Sequence, residues 1–130
     1  MNKLPAALLA ILATAACSAG GPAERSTWTG PSGPPLVAHA GEKHCDWESV
    51  TILRLDDDRQ FVRDPEGVID KQWLESAYDP HATLPADAKD TGYRHDGQRL
   101  WLDANGSAAY VVDGKTVEQW PRTRRGWGCD

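Results

Sequence analysis

The chain has 130 residues, 40% of them hydrophobic, and its 14 Lys and Arg stand against 19 Asp and Glu for a formal charge of −5. That acidic balance argues against a nucleic-acid partner and against adhesion to an anionic membrane surface, since both depend on clustered Lys and Arg. The three cysteines, Cys17, Cys45 and Cys129, are an odd number, which needs an explanation in an oxidising compartment.

After Lys3 comes an uncharged run, Leu4 to Ala16, composed mostly of Ala, Leu and Ile. It falls short of the roughly 20 residues a membrane-spanning helix needs and matches the apolar core of a secretory signal. The run ends Leu12-Ala13-Thr14-Ala15-Ala16-Cys17. Here the chain resembles bacterial lipoprotein precursors, in which small residues precede a Cys that is lipidated and becomes the mature N-terminus. That family usually has Leu three positions before the Cys, where this chain has Thr14. The resemblance implies a signal peptide over residues 1–16 and lipidation of Cys17, palmitate included. It implies an exported protein held on the cell membrane by an N-terminal lipid anchor and facing outside the cytoplasm. Ordinary cleavage after Ala19, or within Ala13-Thr14-Ala15, is the alternative. With Cys17 lipidated, Cys45 and Cys129 are an even pair, expected to form a disulfide; cleavage after Ala19 would leave the same pair. Loss of the leader removes Lys3 and takes the charge from −5 to −6.

Ser18 to Pro35 contains four Gly and four Pro and shows no apolar periodicity. Such composition predicts a tether over residues 17–35, with an average reach of about 23 Å. Trp28 then reads as a stray aromatic within it.

Residues 36–130 are expected to form one small, mainly β (α+β) domain with one short helix and one disulfide. Ser49 to Leu55 is rich in β-branched and aliphatic residues and predicts a strand, broken by Asp56-Asp57-Asp58. Gln60 to Arg63 predicts a return strand and Asp64-Pro65-Glu66-Gly67 a turn. Ile69, Trp73 and Ala77 recur at helical spacing, which predicts a short helix within Val68–Tyr78. His81 to His95 holds two turn signals, Leu84-Pro85 and Thr91-Gly92, and reads as irregular structure crossing one face.

From Asp96-Gly97 onward the pattern is a three-strand antiparallel meander: Leu100–Leu102, Ala108–Val112 and Thr116–Trp120, joined at Asn105-Gly106 and Asp113-Gly114. Asn-Gly and Asp-Gly supply the positive φ that tight hairpin turns require. A type I turn over Asp103–Gly106 with a Gly bulge sets Trp101 opposite Ala109; a type I′ turn at Asn105-Gly106 sets it opposite Tyr110. The turn preferences of Asp, Asn and Gly favour the first.

The stretches Cys45–Ser49, Arg63–Val68, Leu84–Ala88, Asp90–Tyr93, Leu100–Leu102, Ala108–Val112 and Glu118–Arg122, closed by Cys129, resemble small exported proteins of actinobacteria. No activity attaches to that group. The resemblance therefore implies export, a single domain and the paired cysteines, and no functional residue.

His39, His44, Asp46 and Glu48 surround Cys45. Zinc sites need three or four converging ligands, usually in paired Cys or His spacings, so no metal site is predicted. Asp56-Asp57-Asp58 fails as a calcium loop, because Phe61 stands where the loop Gly would fall. Glu48 with Asp87 or Asp90 could serve as an acid and base pair, though solvated carboxylates explain them as well. No nucleophile elbow, phosphate loop or His-Glu-x-x-His is present, and no cofactor is expected. Arg122, Arg124 and Arg125 read as a soluble tail. Trp47, Trp101, Tyr110 and Trp120 are the candidate binding face, since Trp and Tyr suit interfaces and sugar surfaces as well as cores. The functional expectation is a lipid-anchored, non-enzymatic module that binds an envelope protein or glycan. The alternative is a small exported hydrolase with His44, Asp46 and Glu48 as its candidate site, or a hydrolase inhibitor.

Overall fold

The computed structural model describes residues 24–31, 33–42 and 47–124. The expected signal peptide, Cys17, His44, Cys45, Asp46, Arg125 and Cys129, and with them the expected lipidation and disulfide, lie outside the described residues. What is described is mainly β: two antiparallel four-stranded meanders with a single 3-10 turn and almost no helix. The first holds β1 (Glu24–Trp28), β2 (Leu36–Glu42), β3 (Trp47–Arg54) and β4 (Gln60–Arg63), in that order. The second holds β5 (Lys89–His95), β6 (Gln98–Leu102), β7 (Ala108–Asp113) and β8 (Thr116–Pro121).

The sheets meet along both edges. Thr29 and Arg94 exchange backbone hydrogen bonds of 3.0 and 2.8 Å, which joins the end of β1 to β5. Phe61 bridges Arg122, and Thr123 donates to the Gln60 carbonyl at 3.0 Å, which joins β4 to the end of β8. The eight strands thus run β1-β2-β3-β4-β8-β7-β6-β5 around a small closed barrel, an arrangement that leaves no long edge open to another chain.

β1 corrects the tether. Its five residues pair with β2 in register, Trp28 opposite Leu36, and Trp28 is only 2% exposed. The barrel interior is built from Trp28, Leu36, Ala38, Leu53, Leu55, Phe61, Leu100, Ala109, Val111 and Trp120. Alternation explains the choice: Leu53 and Leu55 point inward from β3, while Val50 and Ile52 point outward. That outer face is covered by a second cluster in which Val50, Val62 and Ile69 pack with Trp73 and Leu74. Asp64 fastens this cover, its carboxylate accepting from the backbone N–H groups of Val68 and Ile69 at 2.8 and 2.9 Å.

No helix spans Val68–Tyr78. Asp70 caps a start, accepting from the Gln72 N–H, but only Lys71–Trp73 form a 3-10 turn. Beyond it the backbone pairs with the end of β8: Glu75 donates to Arg122, Arg124 donates to Trp73, and Leu74 bridges Thr123. Sheet partners take the groups a second helical turn would need. The segment continues along β8, with Asp79 and Gln119 exchanging hydrogen bonds and Ala82 donating to Val117. To reach Lys89 it crosses the outer face over β7 and β6, where outward-pointing Tyr110 and Val112 are nevertheless buried.

The expected irregular stretch up to His95 also needs correction, because Lys89–His95 is strand β5. Thr91-Gly92 is a bulge within it: the register shifts between Asp90 and Arg94, and the Thr91 hydroxyl donates to the Leu100 carbonyl at 2.7 Å. Gly92 has φ 85°, and a Cβ there would lie 2.8 Å from Pro31 Cδ. The three meander strands are present at Gln98–Leu102, Ala108–Asp113 and Thr116–Pro121. Their register differs from the favoured reading. Gly106 does close a turn on Asp103 at 3.0 Å, with φ 77°. Ser107 joins the loop, however, donating its hydroxyl to Asp103 and its N–H to Asn105, so Asp103 pairs with Ala108 and Trp101 faces Tyr110.

Candidate functional site

Interior side chains become smaller and more polar toward one end of the barrel. One cross-strand row reads Ser26, Ala38, Leu53, Phe61; the next, nearer that end, includes Ala40, Thr51 and Arg63. At the same end the β1–β5 seam parts. Alternate residues of a strand hydrogen-bond to alternate sides, so Thr27 and Arg25 direct their backbone groups the same way as Thr29, toward β5. Among the described residues no ladder continues there. The Thr27 carbonyl instead faces His95 Nδ1 at 3.2 Å, and the β5–β6 hairpin turns away through Asp96 and Gly97, both at positive φ.

The parting opens a pocket of about 550 Å³. Arg25, Ser26 and Trp28 line it from β1, and His95, Asp96 and Gln98 from the β5–β6 hairpin; Ala38, Ala40, Thr51 and Trp120 complete it. The two alanines make the room, and the two tryptophans make much of the apolar wall. His95 lies against Trp28, ring centroids 5.3 Å apart and planes tilted 41°. Its Nε2 is 3.5 Å from Asp96 Oδ2. Trp28 Nε1 is buried without a hydrogen-bond partner among the described residues. Such a donor is costly to leave unmade, so it marks a place where an acceptor is favoured.

Trp120 differs from Trp28. Its Nε1 donates to Glu118 Oε1 at 3.0 Å, and the same oxygen accepts from Arg63 Nε at 3.0 Å. Arg63 lies 5.9 Å from the Tyr78 ring centroid, which knits the β4–β8 side of the barrel together. Burial, and then the neighbouring Glu118 carboxylate, push the Tyr78 phenol above its ordinary value. Tyr110 is raised as well, by burial first and then by Asp103 and Asp87.

The expected binding face does not assemble. Trp101 and Tyr110 sit opposite each other on the outer face of the second sheet, but Tyr110 is buried and Trp101 half-buried. Trp120 points to the interior, and Trp47 begins β3 on the other sheet. Among the carboxylates considered, Glu48 is exposed on β3, Asp87 lies near Tyr110, and Asp90 is bound by Arg94 at 3.0 Å. The Arg94 hydrogen bond lowers the Asp90 carboxyl below its usual range. His39 pairs with Ile52 across β2 and β3. Among the described residues no group of three or more His, Cys, Asp and Glu is placed to hold a metal ion. Arg122, read as tail, instead bridges β4 and pairs with Glu75 at 3.5 Å.

Of the pocket residues only Trp120 belongs to the binding face that the sequence suggests. The missed signal was Arg25-Ser26-Thr27-Trp28-Thr29, a β-favouring run hidden among Gly and Pro. No protein-family model, curated protein or solved structure matches the chain.

Proposed function

We propose that this is an exported, lipid-anchored envelope protein that works by binding rather than by catalysis, taking part of an envelope component into the pocket at the open end of its barrel. The observation that carries the reading is that pocket: concave, walled by two tryptophans, with a few polar groups at its margin, as ligand sites generally are. The environment of His95 also supports binding over hydrolysis, since both ring nitrogens already face acceptors, Thr27 and Asp96, instead of a hydroxyl nucleophile. Export, the anchor at Cys17 and a Cys45–Cys129 disulfide rest on the leader and on the cysteine count.

Filling the pocket tests the binding reading. A soluble set of small fragments of envelope chemistry, sugars, short peptides and acyl compounds, is titrated into the isotope-labelled protein. Hits are expected to move the Trp28 indole and His95 signals and to lose binding in Ala38→Trp, which occupies the space. Hits that leave these signals unmoved, or that survive the substitution, contradict it. For the anchor, intact mass of protein from its host's membrane fraction should fit residues from Cys17 onward plus a diacylglycerol and an amide-linked chain. Reduction should add two hydrogens, and a lipid-free mass excludes the anchor.

A further inference from the structure

The pocket's hydrogen-bonding groups are unevenly matched. On the β1 side, the Thr27 and Arg25 N–H groups face the opening without a backbone partner among the described residues. Of the two carbonyls on that edge, that of Thr27 faces His95 Nδ1 at 3.2 Å and that of Arg25 faces the opening as its N–H does. Among the described residues the Arg25 guanidinium makes no ion pair, and Trp28 Nε1, buried behind the wall in a side chain 2% exposed, has no acceptor. Among the described residues that line the pocket the carboxylate is Asp96, which is 88% exposed and stands beside His95 Nε2. Among the described residues the opening therefore offers the two β1 N–H groups and a cation without an ion pair, beside Trp28, Trp120 and Ala38.

Resting on the binding reading above, we infer that the pocket takes an organic acid: a carboxylate held by Arg25 and the free N–H groups of β1, with an apolar body against Trp28, Trp120 and Ala38. A carboxylate is the complement of this donor set. It accepts from several N–H groups at once, and a charged acceptor makes stronger bonds to them than a neutral one does. The volume of about 550 Å³ suits a body of roughly ten carbons, within the range of small-molecule sites. A neutral sugar would leave Arg25 unmatched.

The probes are 2-naphthoate and its near-isostere 2-naphthamide, which differ in charge but hardly in shape. Each is titrated into the full chain, and the Trp28 indole N–H resonance is followed. Naphthoate is expected to shift that resonance saturably and to bind about tenfold more tightly than the amide, the factor one charge-assisted contact supplies. Arg25→Gln should erase the difference by weakening naphthoate alone, while unchanged Trp101 and Trp120 resonances show that the fold persists. If both probes shift Trp28 with equal affinity, or if Arg25→Gln leaves naphthoate unaffected, the acid assignment is overturned and the pocket remains a binding site. If neither probe moves Trp28, both the assignment and the site fall.

Discussion

Trp28 is the residue on which the molecule turns. It fills the barrel, backs the pocket and carries a buried N–H unmatched among the described residues, although its neighbours in sequence read as linker. Trp28→Ala should cost about 3–5 kcal/mol in urea unfolding, the range for removing a large buried aromatic, whereas a linker residue would cost close to nothing. The reason it was hard to recognise is compositional: Gly30, Pro31, Gly33, Pro34 and Pro35 lower the apolar average of any window containing it. Those residues do serve as a connection, but one from β1 to β2 inside the domain. Gly30 also has a packing role, since a Cβ there would lie 3.0 Å from the Tyr93 ring.

Among the elements, the hairpins of the second sheet were the most legible, because each is written in its own turn residues. Asp96-Gly97 adopts two positive φ values, and Gly114 supplies one at φ 59°. What could not be read locally was decided by side chains elsewhere. Ser107 moves the β6–β7 register by bonding to Asp103 and Asn105, and the end of β8 draws residues 73–75 out of a helix. The segment that crosses the outer face has a measurable consequence in alkali. Tyr78 and Tyr110 are held above their ordinary value of 10.0, so the folded state keeps both phenolic protons to higher pH than the unfolded chain does. Stability from this source is complete below about pH 10 and declines as pH rises through and beyond it. Tyr78→Phe and Tyr110→Phe should each make urea midpoints fall less steeply between pH 9.5 and 11; an unchanged slope would mean that these phenols ionise as freely in the fold as outside it.

For the whole molecule, the antiparallel, mainly β class was legible from alternation and turns, while closure was not. Closure depends on Thr29 meeting Arg94 and Gln60 meeting Thr123, contacts more than sixty residues apart that no local pattern encodes. Yet closure is what makes a site, because the pocket exists only where the joined β1–β5 seam begins to part. Residues 24–28 are therefore as much a part of the folded domain as the meander is. Deleting them should expose β2 and one margin of β5 as bare edges and lead to aggregation.

Amide hydrogen exchange at the two seams tests this most directly. The account predicts that the Thr29, Arg94 and Thr123 amides exchange only on global unfolding, with the protection shown by the β7 amides of Tyr110 and Val111. Exchange at those three positions within about tenfold of the unfolded-chain rate, while β7 stays protected, would mean two meanders that open independently, and no pocket between them.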